Sequence, residues 1–189
     1  MKITNLLILG ILIIITSFTA CSLNKKTFTD KRDGKKYKLI KIGNQTWMAQ
    51  NLAFKVDSGC WAYNNEEDSV FKYGYLYNWE TAINVCPDGW RLPTKHDFET
   101  LLNNKEEGET KYRSFISGSK SDFNITFPGA RKLDSTFSLK NIREDFWSSS
   151  ENKKAKKRAY NLYIYNQKKN VMIYNELKEH GFSVRCIKE

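Results

Sequence analysis

Apolar positions along this chain are spaced first like strands, then like helices, then like strands again. Tyr37, Leu39 and Ile40-Lys41-Ile42 form a β-rich run entered through Asp33-Gly34 and left through Gly43-Asn44, both turn signals. In Thr46-Trp47-Met48-Ala49-Gln50-Asn51-Leu52, Trp47, Ala49 and Leu52 are expected in the core. Asn51 beside them needs its amide satisfied, most simply by a loop backbone. Trp79, Ala82, Ile83 and Cys86 fall at i, i+3, i+4 and i+7, which predicts one buried helical face stopped by Pro87 and Gly89. Thr94 and Asp97, ahead of Phe98, Leu101 and Leu102, read as the capping box of a second helix. Trp90, held between the two helices, reads as a core plug.

Phe123 to Phe137 contains Phe127-Pro128-Gly129-Ala130-Arg131 and reads as a buried strand broken by a turn. Phe146-Trp147 is the next aromatic anchor. Ala159 to Tyr165 and Val171 to Tyr174 alternate like paired strands about the polar turn Gln167-Lys168-Lys169-Asn170. In Gly181 to Ile187, Phe182, Val184 and Cys186 share one face and Ser183, Arg185 and Ile187 the other. Residues 53–72, with the acidic cluster Glu66-Glu67-Asp68, read as surface loop, and residues 103–111 as charged and exposed.

The first residues read as an address. Lys2 precedes an apolar run from Leu6 to Ile15, and small residues lead to Ala20-Cys21. The run falls short of the ~20 residues a bilayer span takes, so the pattern is that of a signal peptide. Its end resembles a bacterial lipobox, with Phe18 where leucine is usual, and makes Cys21 the expected lipidation site. Ordinary cleavage with Cys21 a bystander is the competing reading. The expected organisation is residues 1–20 as signal peptide, 21–27 as tether and 28–189 as one domain. Removing 1–20 takes away only Lys2 among the charged residues, so the net charge of +10 falls to about +9. Cys60, Cys86 and Cys186 remain, in a compartment where pairing is expected, and an odd number leaves one over.

Five stretches in order carry a resemblance: Thr46 to Leu52, Tyr73-Gly74-Tyr75-Leu76-Tyr77-Asn78-Trp79, Cys86-Pro87-Asp88-Gly89-Trp90-Arg91-Leu92-Pro93-Thr94, Phe146 to Glu151, and Gly181 to Cys186. Together they resemble the Fibrobacter succinogenes major paralogous domain of exported bacterial lipoproteins, from about Phe28 to Lys188. The resemblance implies an α+β, C-type-lectin-like fold shared with formylglycine-generating enzymes. Two helices would pack on a small, irregular, mostly antiparallel sheet, with long loops carrying function. The order of strands, two helices and late strands agrees. The resemblance also implies a disulfide between Cys86 and Cys186. Relatives often carry a cysteine shortly before the Tyr73-Gly74 pair, where this chain has Asp68-Ser69-Val70-Phe71, so Cys60 is expected as a free thiol.

Few chemistries survive a search for reactive groups. His96 and His180 are the two histidines; no Cys/His cluster has zinc spacing, and phosphate-cradle and serine-elbow motifs are missing. The calcium patterns of C-type lectins are absent too, and no metal and no cofactor are expected. Lys153, Lys154, Lys156, Lys157 and Arg158 form a basic run, readable as a solvated loop or as a patch for an acidic glycan or anionic lipid. Nucleic acid is not an expected partner. Tyr63, Tyr73, Tyr75, Tyr77, Tyr160, Tyr163 and Tyr165 exceed what a small core can hide, and suit either sheet-face packing or binding of carbohydrate or protein. The expected function is a non-catalytic binding or interaction module that recognises glycan or protein. Its expected place is the cell envelope, where lipid anchors it to a bacterial membrane, the outer membrane foremost. A thiol-based enzyme using Cys60 and a purely structural envelope lipoprotein are the alternatives.

Overall fold

A computed structural model describes residues 27–103, 112–116 and 123–189. The expectations for the signal peptide, Cys21, the tether up to residue 26 and the charged stretch 104–111 lie outside them.

In chain order the first strands are β1 (Thr27–Thr29), β2 (Lys36–Ile42), β3 (Gln45–Met48) and β4 (Cys60–Trp61). The helical region comprises α1 (Val70–Tyr73), β5 (Leu76–Tyr77), α2 (Trp79–Ala82), β6 (Trp90–Arg91) and α3 (Lys95–Asn103). A small ribbon, β7 (Ala130–Arg131) with β8 (Phe137–Ser138), precedes the long strands β9 (Arg143–Glu151), β10 (Arg158–Tyr165) and β11 (Asn170–Leu177). β12 (Phe182–Ser183) and β13 (Ile187–Lys188) complete the order. The class is α+β and mostly β. One sheet runs β1-β2-β3-β13-β6 and the other β11-β10-β9-β12-β5-β4, antiparallel except where β12 meets β9.

Both predicted helices are present, unequally. Thr94 Oγ1 accepts from Asp97 N at 3.1 Å while Asp97 Oδ2 accepts from Thr94 N at 2.7 Å, a reciprocal cap that starts α3. Arg91 grips the same carboxylate at 2.6 Å. Phe98, Leu101 and Leu102 then point into the core. The helix expected from Trp79 to Cys86 is instead a single turn. Asn78 caps it by accepting from Thr81 N at 3.0 Å, Ala82 is buried, but Ile83 is 38% exposed. The residue before a proline avoids the helical region, so Cys86 cannot continue the turn into Pro87. The chain unwinds early, and that brings Cys86 to Cys186, whose disulfide is present.

Residues 53–72 hold more structure than a surface loop: Ala62, Tyr63 and Val70 are buried, while Glu66, Glu67 and Asp68 stay exposed as expected. Residues 123–129 are largely buried without forming a strand, and pairing begins only at Ala130 in β7. Phe127 takes a left-handed φ of 52°, and at Gly129 (φ 82°) a side chain would meet the Ser138 carbonyl at 2.1 Å. Only glycine fits there.

The segment from β12 to β13 ties the two sheets together. β12 lies between β9 and β5, β13 between β3 and β6. Between them, Leu52 N donates to Val184 O at 2.8 Å and Met48 N to Cys186 O at 3.1 Å. Both faces of this segment are buried, Ser183 and Arg185 included. Trp147 lies against Phe182 at 4.5 Å, Trp47 stacks on Phe98 at 5.8 Å, and Trp90 plugs the space beside Phe28 at 5.2 Å.

Arg185 is fully buried and donates to the carbonyl of Phe123 and to Asn51 Oδ1. Asn51 Nδ2 donates onward to Glu144 Oε1 (3.0 Å), to Tyr73 O (3.0 Å) and to Ser183 Oγ (3.1 Å). Glu144 also accepts from Phe127 N at 2.9 Å. The Asn51 amide thus finds a backbone carbonyl, at the end of α1 rather than in a loop, and also relays between a buried cation and a buried anion. Burial pushes the Glu144 carboxyl up to about 7 and the Arg185 guanidinium down to about 10, each opposed by the other's charge.

Two stability outcomes follow. Arg185→Ala leaves Glu144 buried without its counter-charge and is expected to cost about 3–5 kcal/mol in urea unfolding; adding Glu144→Gln should return part of that loss. Replacing Cys86 and Cys186 by alanine opens a loop of sequence separation 100 and should cost up to about 4.7 kcal/mol. A non-reduced digest should yield a peptide pair joining those two cysteines, with Cys60 free to alkylate.

Candidate functional site

The hairpin of β10 and β11 sorts its side chains onto two faces. Tyr163 opposes Met172, Asn161 opposes Tyr174 and Tyr165 opposes Asn170, so these residues share one side. Leu162, Ile164, Val171 and Ile173 occupy the other side and pack with α3 in the core. On the first side, Met172 and Tyr174 are 42% and 47% exposed. Tyr163 and Tyr165 stack nearly parallel with ring centres 6.1 Å apart, and Tyr174 tilts against Tyr163 at 6.5 Å. The result is a shallow concavity of about 460 Å³, lined also by Arg143, Lys168, Asn170 and Glu176.

Charged groups fix this surface from beneath. Arg143 lies 4.7 Å from the Tyr163 ring centre, pairs with buried Asp145 and reaches Glu176 at 3.2 Å. Burial pushes Asp145 up to about 6, against the pull of Arg143 and of an Asn161 amide at 2.6 Å. Burial disfavours the Arg143 charge, yet Asp145 and Glu176 together hold its pKa above the ordinary value. Stacked rings over a rigid, ion-paired base can hold the apolar face of a flat ligand while tyrosine hydroxyls bond its edge. Of these residues the sequence drew attention to Tyr163 and Tyr165; Met172, Tyr174 and Arg143 joined them only through strand register.

The basic run occupies the turn between β9 and β10. Lys153, Lys154, Lys156 and Lys157 are exposed, with Lys154 N donating to Asn152 Oδ1 at 3.0 Å. Arg158 separates from them: it opens β10, donates to Asn175 O at 2.9 Å and faces Glu176 at 3.7 Å. Lys153 and Lys154 border a depression of about 420 Å³ with Lys95, Glu151 and Tyr160. The run is therefore near the aromatic hairpin in sequence but does not line its concavity.

Cys60 sits in β4 as a free, half-buried thiol, its neighbour Lys55 being bound to Glu67 at 2.6 Å. Burial pushes the thiol up to about 11, against a backbone hydrogen bond at Val56 and the pull of Lys55. His96 is exposed beside Glu99 at 3.5 Å. Among the described residues, no group of three or more His, Cys, Asp or Glu gathers as a metal ion would require, and no helix is long and apolar enough to cross a membrane.

The order of the Trp47, Tyr73, Cys86, Trp147 and Cys186 segments, now seen packed around one bridging strand, agrees with a family match. The family model described as the Fibrobacter succinogenes major domain matches residues 40–188. This chain belongs to that family. Within the Fibrobacter major domain, β3, the cap of α3, the disulfide and the β9–β11 hairpin all lie inside the matched span, whereas β1 precedes it. Comparison with curated proteins and with solved structures gave no match.

A thiol raised from 9.0 to about 11 carries roughly 100-fold less thiolate at neutral pH. Cys60 is expected to react with a disulfide reagent about that much more slowly in the native protein than after unfolding.

Proposed function

We propose that this Fibrobacter major domain is a non-catalytic binding module of the bacterial cell envelope, with a C-type-lectin-like fold. It is anchored through lipid on Cys21 to the outer membrane, and takes a glycan on the tyrosine face of β10 and β11. The observation that carries the reading is the set of Tyr163, Tyr165, Met172 and Tyr174 held on the open side of a strand pair whose other side is core. Exposed tyrosines on a rigid sheet lose little conformational entropy on binding, and their rings suit the C–H faces of a sugar. The protonated state of Cys60 speaks against the thiol enzyme. A purely structural envelope lipoprotein would have no use for exposed rings gathered around a concavity.

A glycan array probed with the full chain should give a discrete set of hits. The pair of substitutions Tyr163→Ala and Tyr174→Ala should weaken the best of them at least tenfold, at about 1 kcal/mol per ring. Changing Lys153, Lys154, Lys156 and Lys157 to glutamine should leave that affinity within twofold. The reverse pattern would move the site to the basic turn, and an array without hits would remove the glycan reading. Changing Cys21 to serine should shift the protein from the membrane to the soluble fraction.

A further inference from the structure

A second concavity, of about 580 Å³, opens between the β1–β2 turn and α1. Three lysines, Lys35, Lys36 and Lys72, line it together with Val70, Phe71 and Asn51, and none of its lining residues is acidic. Phe71 is 101% exposed, the most exposed large apolar side chain among the described residues. Its backbone is nonetheless fixed. Val70 and Tyr73 on either side of the Phe71-Lys72 pair are buried, and Gly74 N closes the turn onto Val70 O at 2.9 Å. Folding makes no use of this ring, which stands at the rim of a basic groove.

The position of the groove relative to the N-terminal segment suggests what it meets. Thr29 pairs with Lys36 and Thr27 with Lys38, so the described chain begins about 7 Å along the strand from the groove's Lys36. The six steps from Thr27 back to Cys21, the proposed lipidation site, can span at most about 22 Å. A lipid at Cys21 therefore keeps this groove within about 29 Å of a bilayer. Lys35 is engaged with Asp33 at 3.2 Å, but among the described residues Lys36 and Lys72 form no ion pair.

We propose that this groove docks the domain on an anionic phospholipid surface. Phe71 enters the boundary between headgroups and acyl chains, and Lys36 and Lys72 meet headgroup phosphates. A lysine near an anionic bilayer raises binding about fivefold, and a lipid anchor holds best when a second membrane signal accompanies it. The contact would set the domain's orientation and leave the tyrosine face of β10 and β11 to its own ligand.

The test uses the full chain with Cys21→Ser, Cys60→Ser and Phe71→Cys, carrying an environment-sensitive dye at position 71. On vesicles of phosphatidylcholine with about one-third phosphatidylglycerol, the dye should blue-shift and brighten several-fold. Lys36→Gln and Lys72→Gln should each weaken the response about fivefold, and about 0.5 M salt should abolish most of it. The same dye at Met172→Cys should remain in water. No response at 71, or an equal response at 172, overturns the proposal, since the second would mean unoriented adsorption through the apolar leader. An equal response to soluble glycerol phosphate overturns it as well, in favour of a small-anion pocket.

Discussion

Arg185 is the constraint around which the rest of the molecule is arranged. A guanidinium with no exposure to water requires counter-charge and acceptors, and here they come from distant segments: Asn51 after β3, Glu144 in β9, and the carbonyl of Phe123. Each partner is fixed by something else. Phe127 N, in its left-handed turn, donates to Glu144, and the Tyr73 carbonyl at the end of α1 receives the Asn51 amide. Apolar packing could be satisfied by several registers of so many short strands. A buried polar network of this kind is satisfied by one, because a slip of one residue would strand a charge.

Local signals in the chain were reliable where the cause of structure is local. Thr94 and Asp97 cap α3 because capping depends on a few neighbouring atoms, and turn residues delimit β2 for the same reason. The face Trp79–Ala82–Ile83–Cys86 misled because a distant demand, the disulfide to Cys186, outweighed helical periodicity next to Pro87. Alternation in the last strand divided Phe182, Val184 and Cys186 from Ser183, Arg185 and Ile187, yet both sets are buried. Nothing in spacing alone reveals that a strand has a sheet or a loop on each side of it.

The candidate binding face was half legible. Alternation in β10 and β11 predicts a hairpin, and an excess of tyrosine predicts that some rings face water. Which rings gather is decided by register, and register sets Tyr163 opposite Met172 and Asn161 opposite Tyr174. Arg143 and Asp145, two strands' width from β11, complete the support through β9. The basic run stood out in sequence because it is contiguous. Its geometry is more ordinary: one member serves the sheet and four extend into solvent.

The segment from β12 to β13 also governs when the fold can form. Ribosomal synthesis delivers it after every other described element, yet it occupies interior positions in both sheets and carries the cysteine that closes onto Cys86. Until it arrives, β3 and β6 have no common neighbour, β9 and β5 are unjoined, and Asn51 and Glu144 lack their cation. Partial chains therefore lack the contacts that join the two sheets, and folding depends on contacts between residues far apart in sequence. During synthesis such a chain leaves sheet edges and buried polar groups unpaired, and its two sheets gain their shared segment only with the last residues made.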